Sequence, residues 1–165
     1  MNNEEPAYDD VRALFAATYP RLVRAVTLAG GSQPDAEELV QDAFVRLLPR
    51  WDRVRAYDDP EGWVRSVAFR ELGKRRRKLQ NAILAARRAG VAQECDPPSG
   101  DRLDVAAALG TLPLAQRQVV VLHHLLGLDL ATIARELRVA EGTVKSRLAR
   151  ARAALRPLLK EDTHA

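Results

Sequence analysis

Cysteine is almost absent from this chain of 165 residues, since Cys95 is the only one. A lone thiol excludes an internal disulfide and fits a reducing compartment, so we expect a cytoplasmic protein. Aromatic residues make up only 5%. The apolar residues are mostly Ala, Leu and Val, which favours helix–helix packing over a sheet. The chain has no apolar run long enough for a membrane segment, and its first residues do not resemble a signal peptide.

The usual sequence signs of catalysis and metal binding are also missing. The three histidines are His123, His124 and His164. We expect the adjacent pair to point to different sides of a helix, which makes them poor joint metal ligands. There is no glycine-rich phosphate loop and no nucleophile motif. The expectation is therefore a non-enzymatic protein with no catalytic residue, no metal site and no cofactor.

Charge is distributed unevenly along the chain. Residues 1–62 hold 7 basic and 12 acidic residues, whereas residues 63–90 hold 9 basic residues and 1 acidic residue. Residues 104–165 hold 9 basic and 6 acidic residues. An acidic front followed by two basic zones indicates one surface for a protein partner and two for a polyanion. Solvated helix faces are the alternative, but the uninterrupted basic run at residues 74–78 does not alternate in sign as such faces usually do.

Breaker residues divide the sequence into three parts. Residues 10–78 are predicted to form a first helical lobe, residues 79–103 a linker and residues 104–160 a second helical lobe. The linker contains the breakers Gly90, Pro97, Pro98, Ser99 and Gly100. Its first half, residues 79–89, can extend the preceding helix. The predicted fold is all-α, with two small helical lobes that a flexible linker lets move semi-independently.

The first lobe contains an amphipathic helix with an acidic outer face. Its apolar residues recur at spacings of three and four: Ala36, Leu39, Val40, Ala43, Phe44, Leu47 and Leu48. Asp35 and Glu38 resemble a capping box that starts this helix. The opposite face carries Glu37, Glu38, Gln41, Asp42 and Arg46. This face is either solvated surface or a docking face for a partner.

A second helix is predicted to begin near Pro60. Its core side holds Val64, Ala68 and Leu72, and a neighbouring stripe holds Trp63, Val67, Arg70 and Lys74. Cations beside an aromatic ring suit melted DNA, because phosphates need charge and unstacked bases need a flat apolar partner. The alternative is that Trp63 is a core residue. The basic run that follows favours nucleic acid.

The second lobe contains the pattern of a helix-turn-helix. A short helix is predicted from Leu130 to Arg138, a break at residues 139–142 and a last helix from about Thr143 to Leu159. Ile133, Ala134 and Leu137 would face Val144, Leu148, Ala151 and Leu155 across the turn. The last helix is rich in cations on its other side. A simple helical hairpin is the alternative interpretation.

These segments together resemble a known family. Residues 35–47 (DAEELVQDAFVRL) are similar to the polymerase-binding helix of region 2 of the sigma factors. Residues 62–68 (GWVRSVA), with the basic run, resemble the helix that faces the melted −10 element. Residues 141–152 (EGTVKSRLARAR) resemble region 4, which reads the −35 element. Two lobes with only a short linker between them resemble the extracytoplasmic-function (ECF) group.

The resemblance implies a protein that binds core RNA polymerase, recognises both promoter elements and directs transcription initiation. Its partners would be core polymerase and promoter DNA, with an anti-sigma factor as a further candidate. The implied polymerase-binding residues are Asp35, Glu38, Leu39, Gln41, Asp42, Phe44 and Leu47. The implied −10 residues are Trp63, Arg70, Lys74, Arg75, Arg76 and Arg77. The implied −35 residues are Thr143, Lys145, Ser146, Arg147, Ala149 and Arg150.

Helical geometry distinguishes two roles within the last helix. If Val144 and Leu148 point inward, Ser146 and Arg150 fall on the outward side, one turn apart, where a helix in the major groove meets base edges. We therefore expect these two residues to read bases, and Lys145 and Arg152 to contact phosphates.

The sequence departs from the family pattern in both lobes. Phe69 and Arg70 stand where the −10 helix often has Arg and Asn, so the base preference there stays open. Arg138 and Ala140 occupy turn positions that usually hold Gly and Ser, and Thr132 replaces a usual Glu. An autonomous helix-turn-helix regulator is the alternative function, although it would leave the first lobe without a task.

Overall fold

The computed structural model describes residues 5–91 and 105–160, and every regular element in these two ranges is helical. We call residues 5–91 the first lobe and residues 105–160 the second lobe. The all-α prediction is confirmed. Residues 92–103 of the predicted linker lie outside the described residues, as do Cys95 and His164.

Eight α-helices lie in these ranges. The first lobe contains α1 (Glu5–Leu28), α2 (Gln33–Leu47), a 3₁₀ turn (Leu48–Arg50), α3 (Trp51–Val54) and α4 (Pro60–Arg88). The second lobe contains α5 (Val105–Gly110), α6 (Leu114–Val120), a π turn (Val121–Leu125), α7 (Leu130–Leu137) and α8 (Glu141–Lys160). The helix that begins at Leu114 therefore widens into a π turn after Val120.

Helix α2 packs its apolar stripe against α1 and α4, as its periodicity predicts. Two details of the prediction are wrong. Ser32 is the N-cap, and its hydroxyl accepts a hydrogen bond from the Asp35 amide at 3.3 Å, so Asp35 lies inside the first turn. Leu48 is exposed because the chain passes into the 3₁₀ turn after Leu47, which rotates Leu48 off the buried stripe.

Helix α4 is the longest helix of the described chain, at 29 residues. The Asp59 carboxylate caps it by accepting a hydrogen bond from the Gly62 amide at 2.9 Å. Val64, Ala68 and Leu72 are buried, as predicted. The helix continues to Arg88, which confirms that the first half of the predicted linker extends it.

The helix-turn-helix pattern is present in the second lobe. Asp129 caps α7 by accepting a hydrogen bond from the Thr132 amide at 2.7 Å. The predicted inward residues Ile133, Ala134, Val144, Leu148 and Ala151 are all buried. The last helix begins at Glu141, two residues earlier than predicted. The turn therefore has only three residues, and Arg138 reaches it in the left-handed region with φ 57° and ψ 47°.

Ala140 immediately precedes α8, and its side chain has no hydrogen-bond acceptor. Its carbonyl accepts hydrogen bonds from the Thr143 and Val144 amides, so it occupies the capping position. We expect Ala140→Ser to raise the free energy of unfolding by about 1 kcal/mol, because the hydroxyl can accept a free amide of the first turn. Urea denaturation of the full chain measures this. Ala153→Ser, exposed within α8, is the matched control, and an equal change in both variants would contradict a capping effect.

The two lobes pack directly against each other. Helix α4 contacts α6 and α7, and one continuous set of buried residues runs through both lobes. The loop after α1 also approaches α6 closely: a Cβ on Gly30, which has φ 126°, would lie 2.7 Å from Leu114 Cδ1. The sequence did not predict this contact, because the lobes were expected to be joined only by their linker.

Candidate nucleic-acid interface

The outward face of α8 presents the side chains that the sequence predicts to face DNA. Lys145, Ser146, Ala149 and Arg150 are exposed, opposite the buried stripe of the same helix. The Ser146 hydroxyl donates its hydrogen to the Thr143 carbonyl oxygen at 3.0 Å. Its oxygen lone pairs stay available as acceptors, and Arg150, one turn further on, offers donors. The face can therefore accept and donate hydrogen bonds to base edges.

Arg147 lies in a different place from the rest of the predicted −35 set. It is half-buried and lines a cleft of about 510 Å³ between the lobes. The same cleft is lined by Arg70, Lys74, Arg77 and Arg138. We call it the basic cleft. Thr143 is also half-buried, so four of the six predicted side chains form the fully exposed face.

The predicted −10 stripe on α4 leads into the basic cleft. Trp63 is half-buried and packs against the core, so both interpretations of this residue hold in part. Arg70 donates a hydrogen bond to the Ser66 carbonyl oxygen at 3.0 Å. Burial, together with the nearby charge of Arg138, lowers the pKa of Arg70. Two cations that face each other in this way form a site that favours an anion.

Arg75 is less available to DNA than its place in the basic run suggests. Its guanidinium donates hydrogen bonds to Asp35 at 3.2 Å and to Glu38 at 3.3 Å, both on α2. The hydrogen bond to Glu38 is the main cause of the raised pKa of Arg75. Lys74 pairs with Glu71 at 3.0 Å in the same region. Arg75 is therefore a weaker candidate for a DNA contact than the sequence predicts, because it already has two carboxylate partners.

Arg76 and Arg77 complete the predicted −10 set and lie on different sides of α4. Arg77 is exposed and lines the basic cleft. Arg76 lies close to Arg117 of the second lobe, where burial and then the charge of Arg76 lower the pKa of Arg117. Of the two, Arg77 is the better placed for an anion in the cleft.

Helix α2 exposes only part of the predicted polymerase-binding set. Leu39, Phe44 and Leu47 are core residues, so they position the helix and cannot touch a partner unless the lobe unpacks. Glu38, Gln41 and Asp42 are exposed, and Asp35 is half-buried beside Arg75. The hydroxyl of Ser32 and the charge of Arg75 lower the pKa of Asp35 against the opposing effect of burial. This carboxylate is therefore ionised at neutral pH.

The same outward face carries an apolar residue that sequence reasoning missed. Val45 is 63% exposed and follows Gln41 and Asp42 by one turn on α2. Exposed valines are common singly, but this one lies beside the acidic side chains. Val45 therefore offers a partner an apolar contact on a face that was predicted from its charged residues alone.

A buried ion pair joins the lobes, and it was not predicted from the sequence. Arg65 of α4 donates to both carboxylate oxygens of Glu136 of α7, with Nη2–Oε1 at 2.6 Å and Nε–Oε2 at 3.0 Å. Both side chains are less than a tenth exposed. Burial would lower the pKa of Arg65, but the hydrogen bonds that it donates to Glu136 and Asp59 raise it overall. The only available signal was a charge within an apolar stripe, since Arg65 shares its helix face with Phe69 and Leu72.

Two family models match this chain. The model described as sigma-70 region 2 matches residues 14–82, and the model described as sigma-70, region 4 matches residues 102–155. The chain belongs to the sigma-70 family. The predicted membership in the ECF group of this family is confirmed, because relatives of that group match the chain.

Relatives of this sigma factor cover most of its length. ECF RNA polymerase sigma factor SigL of Mycobacterium tuberculosis is 31% identical over 92% of this chain and 89% of its own. SigM of the same organism is 33% identical over 88% of this chain and 75% of its own. ECF RNA polymerase sigma factor EcfG of Rhodopseudomonas palustris is 28% identical over 95% of this chain and 89% of its own. These alignments span both lobes.

Solved structures of sigma factors share the fold. The sigma factor RpoE of Bartonella quintana, crystallised with the anti-sigma factor NepR, aligns with a TM-score of 0.73 and 26% identity over 92% of this chain and 97% of its own. CnrH, in complex with the cytosolic domain of CnrY, aligns with a TM-score of 0.65 and 25% identity over 96% of each chain. The fold therefore agrees with the family assignment over more than nine-tenths of the chain.

Sigma factors are transcription initiation factors, which agrees with a non-enzymatic protein. Within residues 5–91 and 105–160, no cluster of three potential metal ligands is present. No helix of these ranges combines the length and apolar composition needed to cross a bilayer. The orientation expected for His123 and His124 is wrong: their rings meet edge to face, 4.8 Å apart between centroids. The π turn that carries them advances less per residue than an α-helix does.

Proposed function

We propose that this sigma factor binds core RNA polymerase in the cytoplasm, recognises the −10 and −35 promoter elements through separate lobes, and so directs transcription initiation. The observation that carries the proposal is the pairing of the two lobes in one chain. The helix-turn-helix of the second lobe, with its polar, basic outward face, accompanies a first lobe that has an acidic helix face on α2 and lines the basic cleft. An autonomous regulator would need only the helix-turn-helix.

The proposal assigns the −35 element to α8. Ser146 and Arg150 read base edges, and Lys145 and Arg152 hold phosphates at the margins of the helix. The exposure of all four side chains supports these roles. Thr143 and Arg147 act at the edges of this face, and Ala149 lets the groove come close to the helix.

The −10 element is assigned to Trp63, Arg70, Lys74 and Arg77 on α4. Melted bases need an aromatic or apolar surface, and their phosphates need cations, which is what this stripe and the adjoining cleft combine. Within the described residues neither Arg70 nor Arg77 forms an ion pair, although the charges of Glu71 and Glu136 act on Arg70. Lys74 pairs with Glu71. Arg75 has a smaller part, because Asp35 and Glu38 already hold its guanidinium. Arg76 has a smaller part because it lies beside Arg117 and does not line the basic cleft.

Core polymerase is assigned to the exposed face of α2, which we define as Glu38, Gln41, Asp42 and Val45. We also propose an anti-sigma factor as a partner that restrains this chain. Both solved relatives support that proposal, because RpoE was crystallised with the anti-sigma factor NepR and CnrH with CnrY.

Run-off transcription tests the function as a whole. Core polymerase alone should give no specific transcript, and addition of the full chain should produce one from a promoter selected from random DNA. If the chain binds a −35 sequence tightly but core polymerase gives no transcript with it, the protein is an autonomous regulator. Nucleotide turnover by the chain alone would instead indicate an enzyme.

A further inference from the structure

The basic cleft gathers five cations around one small space. Arg70, Lys74 and Arg77 follow one another along α4, whereas Arg138 and Arg147 approach from the turn before α8 and from α8 itself. No aspartate or glutamate is among the described residues that line the cleft. Its volume of about 510 Å³ lies in the range of pockets that hold small ligands. Like charges held together repel each other, so the arrangement favours a bound anion.

The protein neutralises other cations of α4 and leaves those of the cleft largely free. Arg65 and Arg75, on the same helix, are each held by at least two carboxylates. By contrast, Arg77, Arg138 and Arg147 form no ion pair and no side-chain hydrogen bond with any described residue. Each guanidinium group has five N–H donors, and these three therefore keep their donors for a ligand.

Arg138 carries its charge at a position that is unfavourable for arginine. Its backbone lies in the left-handed region, with φ 57° and ψ 47°, which glycine adopts freely and most other residues adopt rarely. A glycine here would let α7 end in the same turn without strain. Strained residues are concentrated at binding sites, where the surrounding structure holds them. The strain at Arg138, together with its place in a cleft of cations, indicates that its charge serves a ligand.

Gly73 leaves space at the α4 wall of the basic cleft. It lies in the interior of a 29-residue helix, where glycine is less stable than alanine. Apart from the atoms of its own helix, a Cβ at this position would meet only Nε2 of Gln118, at 3.8 Å. Packing therefore does not require a glycine here. The missing side chain lets a ligand approach the helix backbone between the cations of α4.

The cations of the cleft are spread over more space than one phosphate group fills. Arg70 and Arg77 are seven positions apart on α4, which corresponds to about 10 Å along the helix axis. Arg138 and Arg147 line the same cleft from the second lobe. Arginine suits phosphate oxygens, because its planar guanidinium donates two parallel hydrogen bonds. A chain of linked phosphates can contact the row on α4 and the cations of the second lobe together.

We propose that the basic cleft is a binding site for a compact anion with several linked phosphate groups, either an inorganic polyphosphate or the phosphate chain of a nucleotide. The five cations of the cleft bind the phosphates. Leu114 and Val139, which are half-buried and also line the cleft, offer an apolar surface to the base of a nucleotide. This site goes beyond promoter recognition, because it gives the chain a small ligand whether or not the same cations contact DNA.

Calorimetric titration of the full chain with sodium tripolyphosphate tests the site. We expect one ion per chain, bound at least about tenfold more tightly than sulfate at equal ionic strength, because a single tetrahedral anion reaches fewer of the cations. A parallel titration with GTP distinguishes the two sources: tighter binding than that of tripolyphosphate assigns the site to a nucleotide, and equal or weaker binding assigns it to an inorganic chain. Sulfate that binds as tightly as tripolyphosphate would show only ionic screening and would overturn the proposal.

Arg138→Gly separates loss of the charge from loss of the fold. It should weaken tripolyphosphate binding about tenfold, because charge-assisted hydrogen bonds are lost. Without ligand it should raise the midpoint of thermal unfolding, because glycine adopts the left-handed backbone without strain. Arg77→Gln should weaken binding by a similar factor, and Arg156→Gln, at an exposed position of α8 outside the cleft, should bind within about twofold of the parent. If Arg138→Gly binds as tightly as the parent, or Arg156→Gln loses as much affinity as Arg138→Gly, the cleft is not the site.

Discussion

Reversing two charges on α2, with Glu38→Lys and Asp42→Lys together, should weaken binding to core polymerase by at least about a hundredfold. Both side chains are exposed on one face, so the reversal leaves the buried core of the lobe unchanged, although it removes the ion pair between Glu38 and Arg75. If they meet a basic or mixed surface, reversal replaces attraction by repulsion, and like charges across an interface cost several kcal/mol. A competition assay against the labelled parent on core polymerase measures the change.

The control for this variant must carry the same change in net charge. Asp9→Lys together with Asp52→Lys meets that condition, since both residues are highly exposed on the first lobe. This control should bind core polymerase nearly as well as the parent. Asp42→Lys alone is also needed, because Glu38 pairs with Arg75 and its reversal disturbs α4. A double variant that competes as well as the control would show that α2 is not the polymerase anchor.

Arg150→Ala should cost about 1–3 kcal/mol on a matched −35 duplex and little on a mismatched one. The side chain lies on the outward face of α8, one turn beyond Ser146, where a helix in the major groove meets base edges. Binding is measured with polymerase holoenzyme across a salt series. The loss should persist at every salt concentration, because it arises from a direct contact with a base.

Lys145→Ala provides the contrast, because Lys145 is assigned to a phosphate. It should weaken matched and mismatched DNA alike and reduce the slope of log affinity against log salt by about one unit. Arg156→Ala, further along α8 and exposed, should have little effect on either DNA. If Arg150→Ala lowers affinity for both sequences equally, Arg150 is a phosphate contact and the reading face lies elsewhere on the helix.

The parts of this fold that the sequence predicted well are governed by local patterns. The buried stripes of α2, α4 and α8 follow from helical periodicity, which depends on residues three and four apart. The exposed positions of Ser146 and Arg150 follow from the same geometry. Even for these helices, the observed ends differ from the predicted ends by one or two residues, because a cap such as Ser32 is decided by a single hydrogen bond.

The contacts that the sequence could not predict join distant parts of the chain. Arg65 and Glu136 are 71 positions apart, and nothing local in the sequence connects them. A charge within an apolar stripe indicated only that Arg65 needed a partner. The left-handed conformation of Arg138 was also missed, because a non-glycine residue at positive φ contradicts local preference and is held by tertiary packing. The π turn was not predicted either.

The ion pairs of Arg75 link two surfaces to which we assign different partners. Its guanidinium lies on α4, which we propose to face DNA, and is shared by Asp35 and Glu38 on α2, the proposed polymerase-binding helix. Substitutions at these three positions are therefore not additive, since each change alters the charge that the others meet. A lineage that alters the charge of its polymerase-facing helix must adjust the DNA-facing helix at the same time. The two specificities of this small protein are constrained to evolve together.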